Sequence, residues 1–183
     1  MQKNNYIPLF NMRRKMHAYS IEFKERFDEV LNSGELVLGF QNDKFEKEFA
    51  KYLGVLEVIT VANGTDALYI AIKSLNFPPY SLIGTTANGG GYSTNAILNN
   101  NYVPLFVDVN LNTGLISIDS VLELIKSEVK AIVITHLYGQ SVPNMHEIVD
   151  LCKKNNVFLI EDKFYSVLLW CLNTWHLILH IHF

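Results

Sequence analysis

Cysteine is scarce in this chain: Cys152 and Cys171 are the only two in 183 residues. They lie far apart without metal-type spacing, which excludes a disulfide scaffold or a cysteine-held zinc and fits a reducing cytoplasm. Charge is also sparse. Lys+Arg 15 against Asp+Glu 18 gives a net charge of −3, and the one basic run, Arg13-Arg14-Lys15, is short. Nothing here offers a nucleic acid an electrostatic footprint, and Arg13 to Lys15 read as a solvated approach to a helix. The first residues, Met1-Gln2-Lys3-Asn4-Asn5, lack the apolar core of an export signal. There is no Ser-His-Asp order, metal-ligand cluster, Walker-type loop or Gly-x-Gly-x-x-Gly turn. What the chain does have is an apolar fraction of 49%, enough for a substantial core in a single domain.

Its apolar residues follow two periods. His17 to Leu31 place Tyr19, Phe23, Phe27, Val30 and Leu31 on one helical face, ended by Ser33-Gly34. Phe45, Phe49 and Leu53 mark a second helix, ended by Gly54. Strand-like runs then recur at Val58 to Val61, Leu82 to Thr86, Val103 to Val107, Ala131 to Thr135 and Val157 to Ile160. Helical stretches near Ala67 to Leu75, Thr94 to Leu98, Ser120 to Lys126 and Met145 to Lys153 separate them. Met145, Ile148, Val149 and Cys152 keep i, i+3, i+4, i+7 spacing, which makes Met145 and Cys152 core residues. This alternation predicts an α/β three-layer sandwich around a mostly parallel sheet, with ligands gathering beyond the carboxyl ends of the strands.

Three places at those ends are candidate sites. The turn Ala62-Asn63-Gly64-Thr65-Asp66 leads into a helix whose unpaired N–H groups and positive dipole end suit an anion. Taken alone, it reads better as an ordinary strand-to-helix connection with Thr65 or Asp66 as cap. The loop Ala87-Asn88-Gly89-Gly90-Gly91-Tyr92 lets backbone approach a ligand while Tyr92 offers a flat face; a merely flexible loop is an equal reading. Asp162 beside Glu161 closes a strand. A carboxylate there can keep a pyridine nitrogen protonated, although a solvated acidic pair or a helix cap is the better local reading. His136 and Tyr138, in His136-Leu137-Tyr138-Gly139-Gln140, read as structural packing.

The segments Ile7-Pro8-Leu9-Phe10, Phe45 to Gly54, Asn63-Gly64-Thr65-Asp66-Ala67-Leu68, Pro104 to Val109, His136 to Gln140 and Ile160-Glu161-Asp162 occur in one order along the chain. Together they closely resemble the N-terminal part of the DegT/DnrJ/EryC1/StrS aminotransferases, pyridoxal 5'-phosphate (PLP) enzymes that aminate nucleotide-linked sugars. The resemblance implies an incomplete large domain of a fold-type I PLP-dependent transferase over residues 1–162. It also implies that Gly64, Thr65 and Asp66 cradle the phosphate, Tyr92 stacks on the pyridine, and Asp162 holds its nitrogen. The substrates implied are a nucleotide-linked keto-deoxysugar, aminated at C3 to judge by the Ala87 to Tyr92 loop, and an amino-acid donor such as glutamate. Intact relatives are expected to be cytoplasmic homodimers.

Past Asp162 the family pattern stops. Residues 163–183 hold both tryptophans, three of the six histidines and no acidic residue, and the family's Schiff-base lysine is absent. Lys163 adjoins Asp162 and leaves the strand in another direction, so it does not substitute. A frameshift or truncation is the expectation for this apolar tail. A membrane anchor is disfavoured because Asn173, Thr174 and three histidines interrupt it. The expected activity of this chain alone is therefore none, with exposed apolar surface and an open strand edge making it poorly soluble. The alternative is a non-catalytic binding or assembly subunit that pairs with an intact relative.

Overall fold

The structure is a computed structural model that describes residues 11–163 and 179–182. The extended start around Pro8, residues 164–178 and Phe183 lie outside the described residues. The chain divides into two compact units, Met1–Thr60 and Val61–Phe183.

The first unit is helical. Asn11 caps α1 (Met12–Ala18) by accepting the Arg14 N–H at 3.0 Å. Helix α2 (Ser20–Ser33) carries the expected amphipathic pattern and ends where Gly34 turns left-handed at φ 71°. Its apolar face nevertheless stays open, with Phe23, Phe27 and Leu31 each at least half exposed. Helix α3 (Phe40–Leu53) ends at Gly54, φ 70°, and stacks Phe45 on Phe49 at 5.3 Å. The strand expected over Val58 to Val61 does not form. Its backbone is claimed by α3 instead: the Thr60 N–H donates to Glu46 Oε1 at 2.7 Å, and the Thr60 hydroxyl lies 2.6 Å from Asn42 Oδ1 and 2.8 Å from Glu46 Oε1. A donor held by a carboxylate is lost to a sheet ladder.

The second unit is the α/β sandwich that the alternation predicts. Its elements are α4 (Gly64–Ser74), β1 (Leu82–Thr86), α5 (Tyr92–Asn99), β2 (Val103–Val107), α6 (Ile118–Lys126), β3 (Ala131–Thr135), α7 (Met145–Lys154), β4 (Phe158–Asp162) and β5 (Leu179–His182). The sheet order is β2-β1-β3-β4-β5. The first four strands are mutually parallel, and β5 runs antiparallel to β4. Strand β5 covers the β4 edge, in a segment Leu179-His180-Ile181-His182 whose alternation of aliphatic residue and histidine suits a strand.

Strand alternation sends successive side chains to opposite faces, and two cores follow from it. On one face Ile83, Ala131, Val133 and Ile160 pack against Leu68, Ala71 and Ile72 of α4 and Ala96 and Ile97 of α5. On the other, Ile132, Ile134 and Leu159 pack against Val121 and Leu124 of α6 and Ile148 and Cys152 of α7. Gly84 on this second face lets α6 close in, since a Cβ there would stand 2.5 Å from Leu124 Cδ1. Met145 and Cys152 join this core, as their helical spacing predicts.

Candidate functional site

The carboxyl ends of β1, β3 and β4 share one edge with the N-termini of α4 and α5, because each helix runs back against the strands. At α4 the helix begins at Gly64, with Asn63 as cap in extended backbone. Asn63 Oδ1 accepts the Asp66 N–H at 2.9 Å, and Asn63 O accepts the Ala67 N–H at 3.0 Å. That leaves the N–H groups of Gly64 and Thr65 to face the edge, since the first turn of a helix has no internal acceptor for them. The Asp66 carboxylate turns aside: its Oδ2 accepts from Asn63 Nδ2 at 2.8 Å. Asp66 therefore closes a reciprocal cap, and the dipole end with two open N–H groups is the part suited to an anion.

Tyr92 is the first residue of α5 and is 59% exposed. The loop before it needs its glycines. Gly90 and Gly91 have φ of 70° and 79°, and a Cβ on Gly90 would press the Tyr92 ring at 3.1 Å. Asn88 anchors the loop by donating through Nδ2 to Gly114 O at 2.7 Å. This is an ordered turn, with one wall of the Tyr92 ring set against its backbone.

Asp162 ends β4 and is only 7% exposed, and Glu161 beside it is 4% exposed, so the pair is not solvated. Alternation separates them. Asp162 belongs with Phe158 and Ile160 on the α4/α5 face, directly paired with Thr135 of β3. Thr135 Oγ1 donates to Asp162 Oδ2 at 3.4 Å, and the Asp162 carbonyl accepts the His136 N–H at 3.0 Å.

Glu161 faces the α6/α7 side with His136. His136 Nδ1 accepts the Val142 N–H at 3.0 Å, so the ring proton resides on Nε2, which donates to Glu161 Oε2 at 3.0 Å. Lys163 Nζ lies 3.2 Å from the same carboxylate oxygen. Lys163 thus departs on the Glu161 side, away from the side chain of Asp162, as its place in the strand predicts. His136 is buried, in keeping with a packing role, but Tyr138 is not: it is 78% exposed in the turn Leu137–Gly139, at a left-handed φ of 55°.

The remaining lysines of this unit lie elsewhere. Lys73, Lys126, Lys153 and Lys154 sit in the last turns of α4, α6 and α7, and Lys130 precedes β3, all at the amino edge of the sheet.

Two features escaped the sequence. The contact of Thr135 with Asp162 and that of His136 with Glu161 each join residues of two strands, at separations of 27 and 25 positions. Only strand parity hinted at them: Thr135 and His136 are consecutive at the end of one apolar run, as Glu161 and Asp162 are at the end of another.

These donors and acceptors fit a phosphorylated pyridine cofactor. Two open N–H groups at a helix N-terminus suit its phosphate, a buried carboxylate suits its ring nitrogen, and an exposed aromatic ring at the same edge suits its flat face.

Comparison with known proteins gives this geometry a context. The family model described as the DegT/DnrJ/EryC1/StrS aminotransferase family matches residues 18–166. A dTDP-3-amino-3,6-dideoxy-alpha-D-galactopyranose transaminase from Aneurinibacillus thermoaerophilus is 36% identical over 85% of this chain and 43% of its own length. The crystal structure of NtdA from Bacillus subtilis, with bound cofactor PMP, is 30% identical with a TM-score of 0.79, over 89% of this chain and 38% of that one. An E. coli GDP-4-keto-6-deoxy-D-mannose-3-dehydratase with bound hydrated PLP is 26% identical with a TM-score of 0.69, over 76% of this chain and 37% of that one. The chain spans less than half the length of each of these relatives.

Proposed function

The chain belongs to the DegT/DnrJ/EryC1/StrS aminotransferase family, and we propose that residues up to Asp162 form the cofactor-binding part of an enzyme that aminates a nucleotide-linked keto-deoxysugar. The observation that carries this reading is the placement of buried Asp162 on the α4/α5 face, at the edge where both helices begin. Pyridoxal phosphate, when bound, supplies an electron sink that weakens bonds at the amino-bearing carbon.

The chain's own residues do the holding. Gly64 and Thr65 direct their N–H groups and the α4 dipole at the phosphate. Tyr92 covers one face of the ring, and Gly90 and Gly91 set its approach. Asp162, buried at this edge, keeps a proton on the ring nitrogen through a charge-assisted hydrogen bond with the cationic ring, and that proton is what makes the ring draw electrons. The sugar substrate, with amination at C3 and glutamate as donor, is the finer part of the proposal; the name of the Aneurinibacillus thermoaerophilus relative, a transaminase of a 3-amino sugar, supports it.

A second reading has its own observation. Among the described residues of the second unit, Lys163 is the lysine at the carboxyl edge, and it is held by Glu161 on the far face from the Asp162 side chain. A transaminase needs a lysine both to carry the cofactor and to move the substrate proton. This chain alone accordingly binds the cofactor without turnover, and it serves as a binding or assembly subunit beside an intact relative.

One experiment separates these possibilities. The purified chain is titrated with pyridoxamine 5'-phosphate, which needs no lysine, and is then incubated with glutamate and a dTDP-linked 3-keto-6-deoxysugar while amino-sugar is followed by mass spectrometry. Saturable binding weakened by Asp162→Ala, without amino-sugar, supports the proposal as stated. Amino-sugar formation that Asp162→Ala abolishes sinks the claim of inactivity, and absence of binding sinks the cofactor site.

A further inference from the structure

A strand-end aspartate has a soft carboxylate torsion, so its plane must be fixed before one oxygen can be offered reliably to a ring nitrogen. The main chain of Asp162 is fixed: β4 pairs with β3 through Asp162 itself, and the Asp162 carbonyl accepts the His136 N–H at 3.0 Å. The side chain is contacted from the neighbouring strand. Thr135, the Cα partner of Asp162, places Oγ1 at 3.4 Å from Oδ2. Thr135 Oγ1 is the donor and Oδ2 the acceptor, so the single hydroxyl proton of Thr135 points at Asp162. Threonine suits this task because its β-branch leaves few side-chain rotamers.

The space above the hydroxyl is kept by the glycine loop. A Cβ at Gly89 would stand 3.6 Å from Thr135 Oγ1, which is ordinary contact, so the loop backbone roofs Thr135 without displacing it. Thr135 therefore lies between the loop that presents Tyr92 and the carboxylate at the end of β4.

We propose that Thr135 is a positioning residue: its hydroxyl orients the Asp162 carboxylate toward the ring nitrogen of a pyridine cofactor. This rests on the cofactor site proposed above. Its signature differs from that of a packing residue. Loss of the hydroxyl weakens the one contact that needs the nitrogen and leaves the phosphate contacts at α4 as they are.

The test compares pyridoxamine 5'-phosphate with its 1-deaza analogue, which has C–H in place of the ring nitrogen, by calorimetric titration of the full chain. A charge-assisted hydrogen bond from Asp162 gives the wild type a preference for the nitrogen-bearing ligand of about ten- to hundred-fold. At 3.4 Å the Thr135 bond is long, so Thr135→Val is expected to cut that preference by about three- to ten-fold, through weaker binding of pyridoxamine phosphate alone. Thr135→Ser is expected to restore it. Equal weakening of both ligands by Thr135→Val, or no change in either, overturns the proposal. A wild type that binds both ligands equally overturns the Asp162 contact and this inference with it. If Thr135→Val fails to give a cooperative melt, Thr135→Ala is read in its place by the same criterion.

Discussion

Glu161 and Asp162 are adjacent in sequence and both buried, yet they work on opposite faces of one sheet: Glu161 binds His136 and Lys163 on the α6/α7 side, while Asp162 meets Thr135 on the α4/α5 side. The two should respond differently to substitution. Glu161→Ala removes the acceptor of a buried imidazole N–H and a carboxylate beside the Lys163 ammonium, a change of the kind that costs about 1–3 kcal/mol when a buried donor loses its acceptor. Asp162→Asn keeps the size of the side chain and its acceptor for Thr135. Urea unfolding should show a large loss for Glu161→Ala and a small one for Asp162→Asn. Pyridoxamine phosphate binding, measured on folded protein, should instead fall with Asp162→Asn.

The strands β1, β2 and β3 are legible to the residue, because unbroken runs such as Ala131 to Thr135 are long enough for a buried strand and too short for a helix. For β4 the run Val157 to Ile160 hides that the strand continues through Glu161 and Asp162, since two carboxylates look like the start of a loop until their partners are known. Val58 to Val61 misleads in the opposite sense: its apolar run fits a strand, but Thr60 has a carboxylate partner in α3. The cradle at Gly64 and the aspartate at 162 were visible as residue types. That Asp162, Tyr92 and α4 share a face depends on pairing register, which no local window contains.

The glycine loop should tolerate substitution unequally. Gly90 combines φ 70° with a Tyr92 ring that would lie 3.1 Å from an added Cβ, whereas a Cβ on Gly89 would make only an ordinary contact at 3.6 Å. Gly90→Ala must strain the backbone and push the ring away, while Gly89→Ala need do neither. Thermal melts should therefore drop by a few degrees for Gly90→Ala, on the order of 1 kcal/mol, and hardly move for Gly89→Ala. The reverse order would show that the loop takes another conformation in solution.

Acid should loosen the turn that follows α3. Hydrogen bonds from the Thr60 N–H and hydroxyl hold the Glu46 carboxyl below its ordinary value. Because the folded pKa is the lower one, this contribution is full above the unfolded value of about 4.3 and disappears as pH falls through the folded value. Glu46→Gln removes that dependence. The variant and wild type should differ in stability at pH 7 and converge on acidification below about 4, as read by denaturant midpoints. A constant difference across that range would mean that Glu46 does not bond Thr60 in solution.

Cys152 gives the opposite sign at high pH. Its thiol lies in the core beneath α7, and burial pushes its pKa up to about 11. The folded state thus keeps its proton where the unfolded thiol, near 8.5, has lost it, so stability is unaffected below about pH 8.5 and declines as pH rises toward 11. The same burial withholds the thiolate, which is the reactive form. In a Cys171→Ser background, where Cys152 is the single thiol, a maleimide at pH 8 should label the native protein far more slowly than the urea-unfolded chain. Replacing Cys152 by Ala should flatten the alkaline decline while opening a small cavity, at a cost of about 1 kcal/mol. Rapid labelling of the native protein would place Cys152 at the surface and would contradict the packing of α7 on the sheet.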